Sequence, residues 1–201
     1  MLSATASETA QAGECAIVIG ASAGGVSALM RLLPKIGLPA GPPVIVVVHV
    51  PARGDTALAG VFGRLCPIPV REARDKQAVE GGGIWLAPAG YHLLVELDRH
   101  FALSVDEPVN LSRPSIDVLF ESAADVYGSA LIGIVLTGAN SDGARGARAI
   151  RDCGGVVAAQ DPAEAEAEAM PRSTIAAADP QFIGTLDAIA SYVLARVQEV
   201  S

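Results

Sequence analysis

Cys15-Ala-Ile-Val-Ile-Gly20-Ala-Ser22-Ala-Gly-Gly25-Val26 decides the fold. Its first half is a β-branched apolar run. Its second half is built of small residues, after which Val26, Leu29, Met30 and Leu33 recur at helical spacing. A wholly apolar strand that turns straight into a helix reads as a strand buried on both faces of a parallel sheet. The pattern repeats along the chain. Residues 44–50 form a second buried strand containing His49 and ended by Pro51. Residues 131–136 form a third, followed by a loop at 137–143 and a helix at 144–153 that Gly154-Gly155 closes. Residues 156–159 read as a fourth strand, and 185–197 as the last helix. Helices are also predicted at 56–65 and at 115–127, where Ile116, Leu119, Phe120 and Ala123 share a face, and a brief extended piece at 68–70. Pro34 is expected to stop the first helix. Residues 81–88, 91–97 and 101–105 read as short strands joined by tight turns, an antiparallel group added at one edge. The expected fold is therefore α/β: a mainly parallel, doubly wound sheet flanked by helices, with a small antiparallel hairpin addition. Residues 1–13 are small and polar and read as a disordered N-terminus, leaving 14–201 as one domain.

Composition agrees with this reading. Of 201 residues, 51% are hydrophobic and 18% charged, which excludes a mainly disordered chain. Only 4% are aromatic, so the core must come from Val, Ile, Leu and Ala. A net charge of −8 and a pI near 4.8 argue against nucleic acid and anionic membrane surfaces as partners. Mean hydropathy is high at +0.41, yet apolar runs such as 43–48 stop far short of the ~20 residues of a membrane helix. The three cysteines form no CxxC pair and no secretory leader pattern opens the chain, so a cytoplasmic protein with free, buried, structural thiols is expected.

Gly20-Ala-Ser22-Ala-Gly24 matches G-x-S-x-G, the pattern of a serine raised on a sharp strand-to-helix turn. The helix N-terminus that follows suits an oxyanion. A plain turn with a serine cap fits the same residues. A dinucleotide fingerprint fits less well, since it needs glycine at position 22 and an acidic residue at the end of the second strand, where His49 stands. Serine needs a base. His100 lies in a charged turn, and His92 begins an alternating strand where either face is open to it. His49 ends a buried strand, on the side of a doubly wound sheet where functional crevices form. Asp142 follows the third strand and precedes a helix. It can serve as an N-cap or as the carboxylate that orients His49. The order Ser…His…Asp differs from that of α/β-hydrolases. Residues 138–146 lack the Gly-Lys-Ser/Thr of a phosphate loop, and no His/Cys/Asp group has metal-ligand spacing, so no metal or cofactor is expected.

Taken together, Ile19-Gly-Ala-Ser-Ala-Gly-Gly25, His49-Val-Pro51, Ala87-Pro-Ala-Gly-Tyr-His92, Asn110 with Arg113-Pro-Ser-Ile-Asp117-Val-Leu-Phe120, Leu136-Thr-Gly138 with Asp142-Gly143, Ala159-Gln-Asp161 and Met170-Pro171 resemble the catalytic domain of chemotaxis protein-glutamate methylesterases. The resemblance implies a serine hydrolase that removes methyl from glutamyl esters on cytoplasmic chemoreceptor helices, releases methanol, and can deamidate receptor glutamines. It implies Ser22 as nucleophile, His49 as base and Asp142 as orienting acid, with the backbone N–H groups of Ala23 and Ala139 as oxyanion donors. It also implies Asn110, Arg113 and Met170 as substrate-binding residues. Ala23, Ala139 and Ala169 stand where the family usually has Thr, Met and Gly. Residues 1–13 do not match the receiver domain usual at the family's N-terminus, which leaves three expectations open: a stand-alone esterase, a separate receiver-type regulator as partner beside the methylated chemoreceptor, or a trimmed chain. The alternative is a catalytically weak or inactive binding module for the receptor or a signalling partner. Residues 163–169 alternate Ala and Glu; they read as a solvated segment, or as an acidic rim that repels the carboxylate product.

Overall fold

The computed structural model describes residues 15–49 and 58–200. Strands β1 (Ala16–Ala21), β2 (Val44–Val48), β3 (Val70–Glu72), β4 (Ile84–Leu86), β7 (Leu131–Val135), β8 (Val156–Gln160) and β9 (Phe182–Gly184) form one parallel sheet in the order β3-β4-β2-β1-β7-β8-β9. Strands β5 (His92–Val95) and β6 (Phe101–Ser104) pair antiparallel as a separate sheet. The helices are α1 (Gly25–Ile36), α2 (Leu58–Gly63), α3 (Ile116–Tyr127), α4 (Ala144–Asp152), α5 (Ala169–Ala178) and α6 (Leu186–Val200).

The two faces of the sheet explain the unbroken apolar strands. Ile17, Ile19 and Val46 point into a core shared with Leu29 and Leu33 of α1 and Ile189 and Val193 of α6. Their neighbours Val18, Val47 and Val135 point the other way, toward Phe120 of α3 and Ile150 of α4. With helices on both sides, neither set can be polar. Each fully buried Val, Ile or Leu contributes roughly 1.5–3 kcal/mol relative to exposure.

Strand order creates the site. From β1 the chain runs outward through β2 to the edge strand β3, comes back to place β4 between them, and then crosses to place β7 on the other side of β1. The direction reverses between β1 and β7, and at such a point the carboxyl ends of the strands open a crevice. The ladder runs one step past the strands there: Ser22 N–H donates to Thr137 O (2.9 Å) and His49 N–H to Ala21 O (3.0 Å).

Four differences from the sequence reading have physical causes. Pro34 lies inside α1, which runs on to Ile36. The lost N–H falls in the last turn, the Gly37 N–H still closes the helix on Leu33 O (3.1 Å), and Ile36 is buried. Residues 84–86 join the main sheet in parallel between β2 and β3, so only β5 and β6 make the antiparallel addition, which packs on α3. Helix α5 and edge strand β9 have no counterpart in the sequence reading. The buried positions of α5 are Met170, Pro171, Thr174 and Ala178, too few large apolar residues to draw a stripe. Cys15 is buried and its thiol is pushed up to about 11 by burial, but Cys153 is exposed. The expectations for residues 1–13, Val50, Pro51 and the start of the helix at 56–65 lie outside the described residues.

Candidate active site

Ser22 is the first residue past β1. The Gly25 N–H donates to its carbonyl (2.7 Å), which closes a tight turn into α1. Gly24 takes φ 74 in that turn, a left-handed conformation that side chains resist. The Ser22 Oγ lies 3.2 Å from His49 Nδ1. On the far side of the ring, His49 Nε2 lies 3.0 Å from Asp142 Oδ2. That distance suits an ion pair, although Nε2 is buried and its N–H is not aligned for a formed hydrogen bond. Such contacts in resting active sites are often loose and tighten during reaction. An ionised carboxylate only accepts, so the neutral imidazole carries its proton on Nε2 and turns the Nδ1 lone pair to Ser22.

Asp142 is fully buried and fully engaged. Its Oδ1 accepts from Ser115 Oγ (2.8 Å), Asn110 Nδ2 (2.9 Å) and Asp117 N–H (3.1 Å), and its Oδ2 accepts from Ile116 N–H (2.7 Å). Burial pushes this carboxyl up. The His49 ring, the Ile116 N–H, the Asn110 amide and the Asp117 N–H together outweigh burial and hold it down at about 2. The capping reading and the orienting reading of Asp142 thus meet in one residue, but the helix it caps is not the one that follows it. Asp142 closes the N-terminus of α3, while α4 has no side-chain cap from its own N-cap Gly143. His92 completes the α3 start, accepting the Ser115 N–H at Nδ1 (3.2 Å) and donating from Nε2 to Glu107 O (3.1 Å). The face of His92, open in sequence, is the buried one.

Behind the turn lies a polar chain that sequence reading missed. Thr137 Oγ1 donates to Ala23 O (2.8 Å) and accepts from Ala167 N–H (2.9 Å). The Thr137 N–H donates to buried Gln160 (2.9 Å), whose amide donates to Glu164 (3.0 Å), and Arg31 pairs with Glu164 (3.2 Å). Ala23 and Ala139 are exposed beside this frame, and among the described residues their N–H groups have no acceptor.

A profile of the CheB methylesterase family matches residues 17–193. The chain belongs to that family. A Leptospira interrogans protein provisionally named protein-glutamate methylesterase/protein-glutamine glutaminase is 47% identical over 175 residues, 87% of this chain and 91% of the relative. Protein-glutamate methylesterase/protein-glutamine glutaminase 1 of Rhodospirillum rubrum is 38% identical over 184 residues, and the match spans 47% of that longer protein. The crystal structure of the Thermotoga maritima CheB methylesterase catalytic domain superposes with a TM-score of 0.85 at 29% identity, covering 92% of this chain and 99% of that one. In this CheB-family chain the departures at Ala23 and Ala139 change side chains only; both positions keep a backbone N–H.

Ser22, His49 and Asp142 are brought together by three different strand ends. The three substrate-binding expectations fare differently. Asn110 has both amide hydrogens on carboxylates, Asp142 Oδ1 and Asp117 Oδ2 (2.8 Å). Arg113 is exposed, donates to the carbonyls of Val105 (2.7 Å) and Asp106 (3.0 Å), and lines a cavity of about 270 Å³ with Val48, Leu86 and Pro114. Met170 departs from expectation: its side chain is fully buried and seats on Gly138, where a Cβ would stand 1.9 Å from its Sδ and 2.9 Å from Ser22 Cβ. It supports the 137–139 loop from behind and cannot line an open surface. The acidic run is only partly solvated. Glu164 is tied into the polar chain, Glu168 pairs with Arg172 (2.8 Å), and Glu166 is exposed against Gly24. Among the described residues no group of three His, Cys, Asp or Glu could hold a metal, and no helix is long and apolar enough to cross a membrane.

Proposed function

We propose that this chain is a cytoplasmic protein-glutamate methylesterase that acts on methylated chemoreceptor helices with Ser22 as nucleophile, His49 as base and Asp142 as orienting acid. The observation that carries the reading is the relay at the strand ends, 3.2 Å from Ser22 Oγ to His49 Nδ1 and 3.0 Å from Nε2 to Asp142. The proton of Ser22 passes to Nδ1 as Oγ bonds to the ester carbonyl carbon. The N–H groups of Ala23, just ahead of the positive end of α1, and of Ala139, in the loop after β7, hold the oxyanion that forms. Collapse breaks the carbon–methoxy bond, and Nδ1–H protonates the leaving group to give methanol. Water then attacks the acyl-serine, its proton going to Nδ1 and on to Ser22 Oγ. Glutamate and free enzyme result. With a glutamine side chain the same steps release ammonia, matching the glutaminase in the relatives' names. Asp142 remains ionised and stabilises the imidazolium. The base must be neutral to accept the Ser22 proton. Arg113, on the rim of the adjacent cavity, is assigned to the receptor backbone.

Methanol release from methylated receptor fragments, measured for wild type and Ser22→Ala, tests the reading. Release by wild type alone is the expected result. A serine-directed phosphonate should label wild type and not the variant. Absence of both release and labelling in wild type would favour the inactive binding module.

A further inference from the structure

Outside the relay, one side chain touches both buried carboxylates of the site. Asn110 Nδ2 lies 2.9 Å from Asp142 Oδ1 and 2.8 Å from Asp117 Oδ2. Ionised carboxylates only accept, so the part of the amide facing both must be its NH2 group. Asp117 itself, in the first turn of α3, accepts the N–H groups of Gly143 (2.9 Å) and Gly146 (2.8 Å) at the start of α4. The two helices are therefore cross-capped. Asp142, from the α4 side, holds α3; Asp117, from α3, holds α4; and Asn110 joins the two carboxylates.

The backbone is shaped for this bridge. Val109 and Ser112 exchange hydrogen bonds (3.2 and 2.9 Å) around a two-residue turn. Asn110 and Leu111 have φ 51 and 64, the left-handed pair of a type I′ turn. Asn accepts that conformation more readily than most residues. Asn110 is exposed while Asp142 and Asp117 are buried, so its amide forms the outermost layer over the pair.

We propose that Asn110 is a positioning residue for Asp142: it keeps two buried carboxylates apart, fills one of the three donor places on Oδ1, and so leaves Oδ2 ionised and turned to His49. The inference rests on the proposed function only for its kinetic consequence. The other charged or titratable groups around the pair are His49, Arg145 (3.9 Å from Asp117 Oδ2), Glu121 bonded to Arg145, and His92 behind Ser115. None of them supplies Oδ1 with a substitute donor.

Asn110→Asp is the decisive variant, because it keeps shape and turn preference but replaces the donor with a third negative charge. Asn110→Ala is its companion. On both a small activated ester and methylated receptor, kcat should fall about 10–100-fold with KM within about twofold, and Asp should be at least as impaired as Ala. Far-ultraviolet circular dichroism at neutral pH confirms that the variants fold. The pH midpoint of acid unfolding should move upward in both variants, since Asp142 then binds a proton more readily. Wild-type kcat in Asn110→Asp would overturn the proposal, as would a KM increase confined to receptor substrate, which would make Asn110 a substrate contact. If wild type hydrolyses no ester, the enzymatic reading fails on its own. The acid-unfolding arm then still decides: an unshifted midpoint refutes the bridge, and an upward shift supports it.

Discussion

Replacing Asp142 with Asn removes a charge and leaves the shape. In the folded chain this carboxyl is held at about 2, against an ordinary 3.8. The folded value lies below the unfolded one, so the group stabilises the fold above pH ~4, and that contribution disappears as pH falls through 2. At about 1.36 kcal/mol per pKa unit, the difference amounts to roughly 2–3 kcal/mol at neutral pH. Complete burial of Asp142 means solvent does not screen it away. Asn adds a further cost. Its NH2 must face either the three donors now on Oδ1 or the Ile116 N–H and His49 on Oδ2, which leaves donor against donor for about 1 kcal/mol more. Urea unfolding of wild type and Asp142→Asn should therefore differ by ~3–4 kcal/mol at pH 7, or roughly 6–16 °C in Tm for a domain of this size. The gap should shrink between pH 4 and pH 2 as wild type loses its charged state. A gap below about 1 kcal/mol at pH 7, or one equally wide at pH 7 and pH 2.5, would refute the reasoning, because the carboxylate would then not be ionised and held. Ester hydrolysis by the same variant should drop on the order of 10⁴-fold.

Gly138→Ala places a Cβ 1.9 Å from Met170 Sδ and 2.9 Å from Ser22 Cβ; kcat should fall about 10–100-fold, and the double variant with Met170→Ala should recover part of the loss in steady-state assays. Leu111 is fully exposed at φ 64, a strained conformation without compensating burial, so Leu111→Gly should raise stability in urea by about 1 kcal/mol. Of the glutamates at 164, 166 and 168, only Glu166 stands exposed against the Ser22 turn; Glu166→Gln should strengthen inhibition by glutamate-bearing product peptide, whereas Glu164→Gln should lower Tm by weakening the bonds to Arg31, Gln160 and Leu186 N–H.

Much of the site was legible from residue order. The run from Cys15 to Gly25 specifies a buried strand, a tight turn and a helix through local properties: β-branched residues, small residues and a 3.6-residue period. The same local signals place Ser22, His49 and Asp142 just beyond strand ends. What they lack is any record of which strands pair. Residues 84–86 look like part of a hairpin group until the sheet shows them seated between β2 and β3. Met170 stands as a substrate-binding residue by resemblance, and nothing in the sequence signals that its side chain seats on Gly138. The support of Asp142 is the strongest case. The Ile116 N–H and the Asp142 carboxylate are 26 residues apart, and an Asp ahead of α4 gives no sign that it caps α3. Capping, pairing and packing across such separations depend on distances that exist only once both chain segments have folded against the sheet. Sequence alone determined the strongly patterned elements and the residue types at their ends, though not α5 or β9; the tertiary structure decided which nitrogen of His49 faces Ser22, which helix Asp142 closes, and that Asn110 turns inward, because each is settled by a neighbour it meets only in the folded chain.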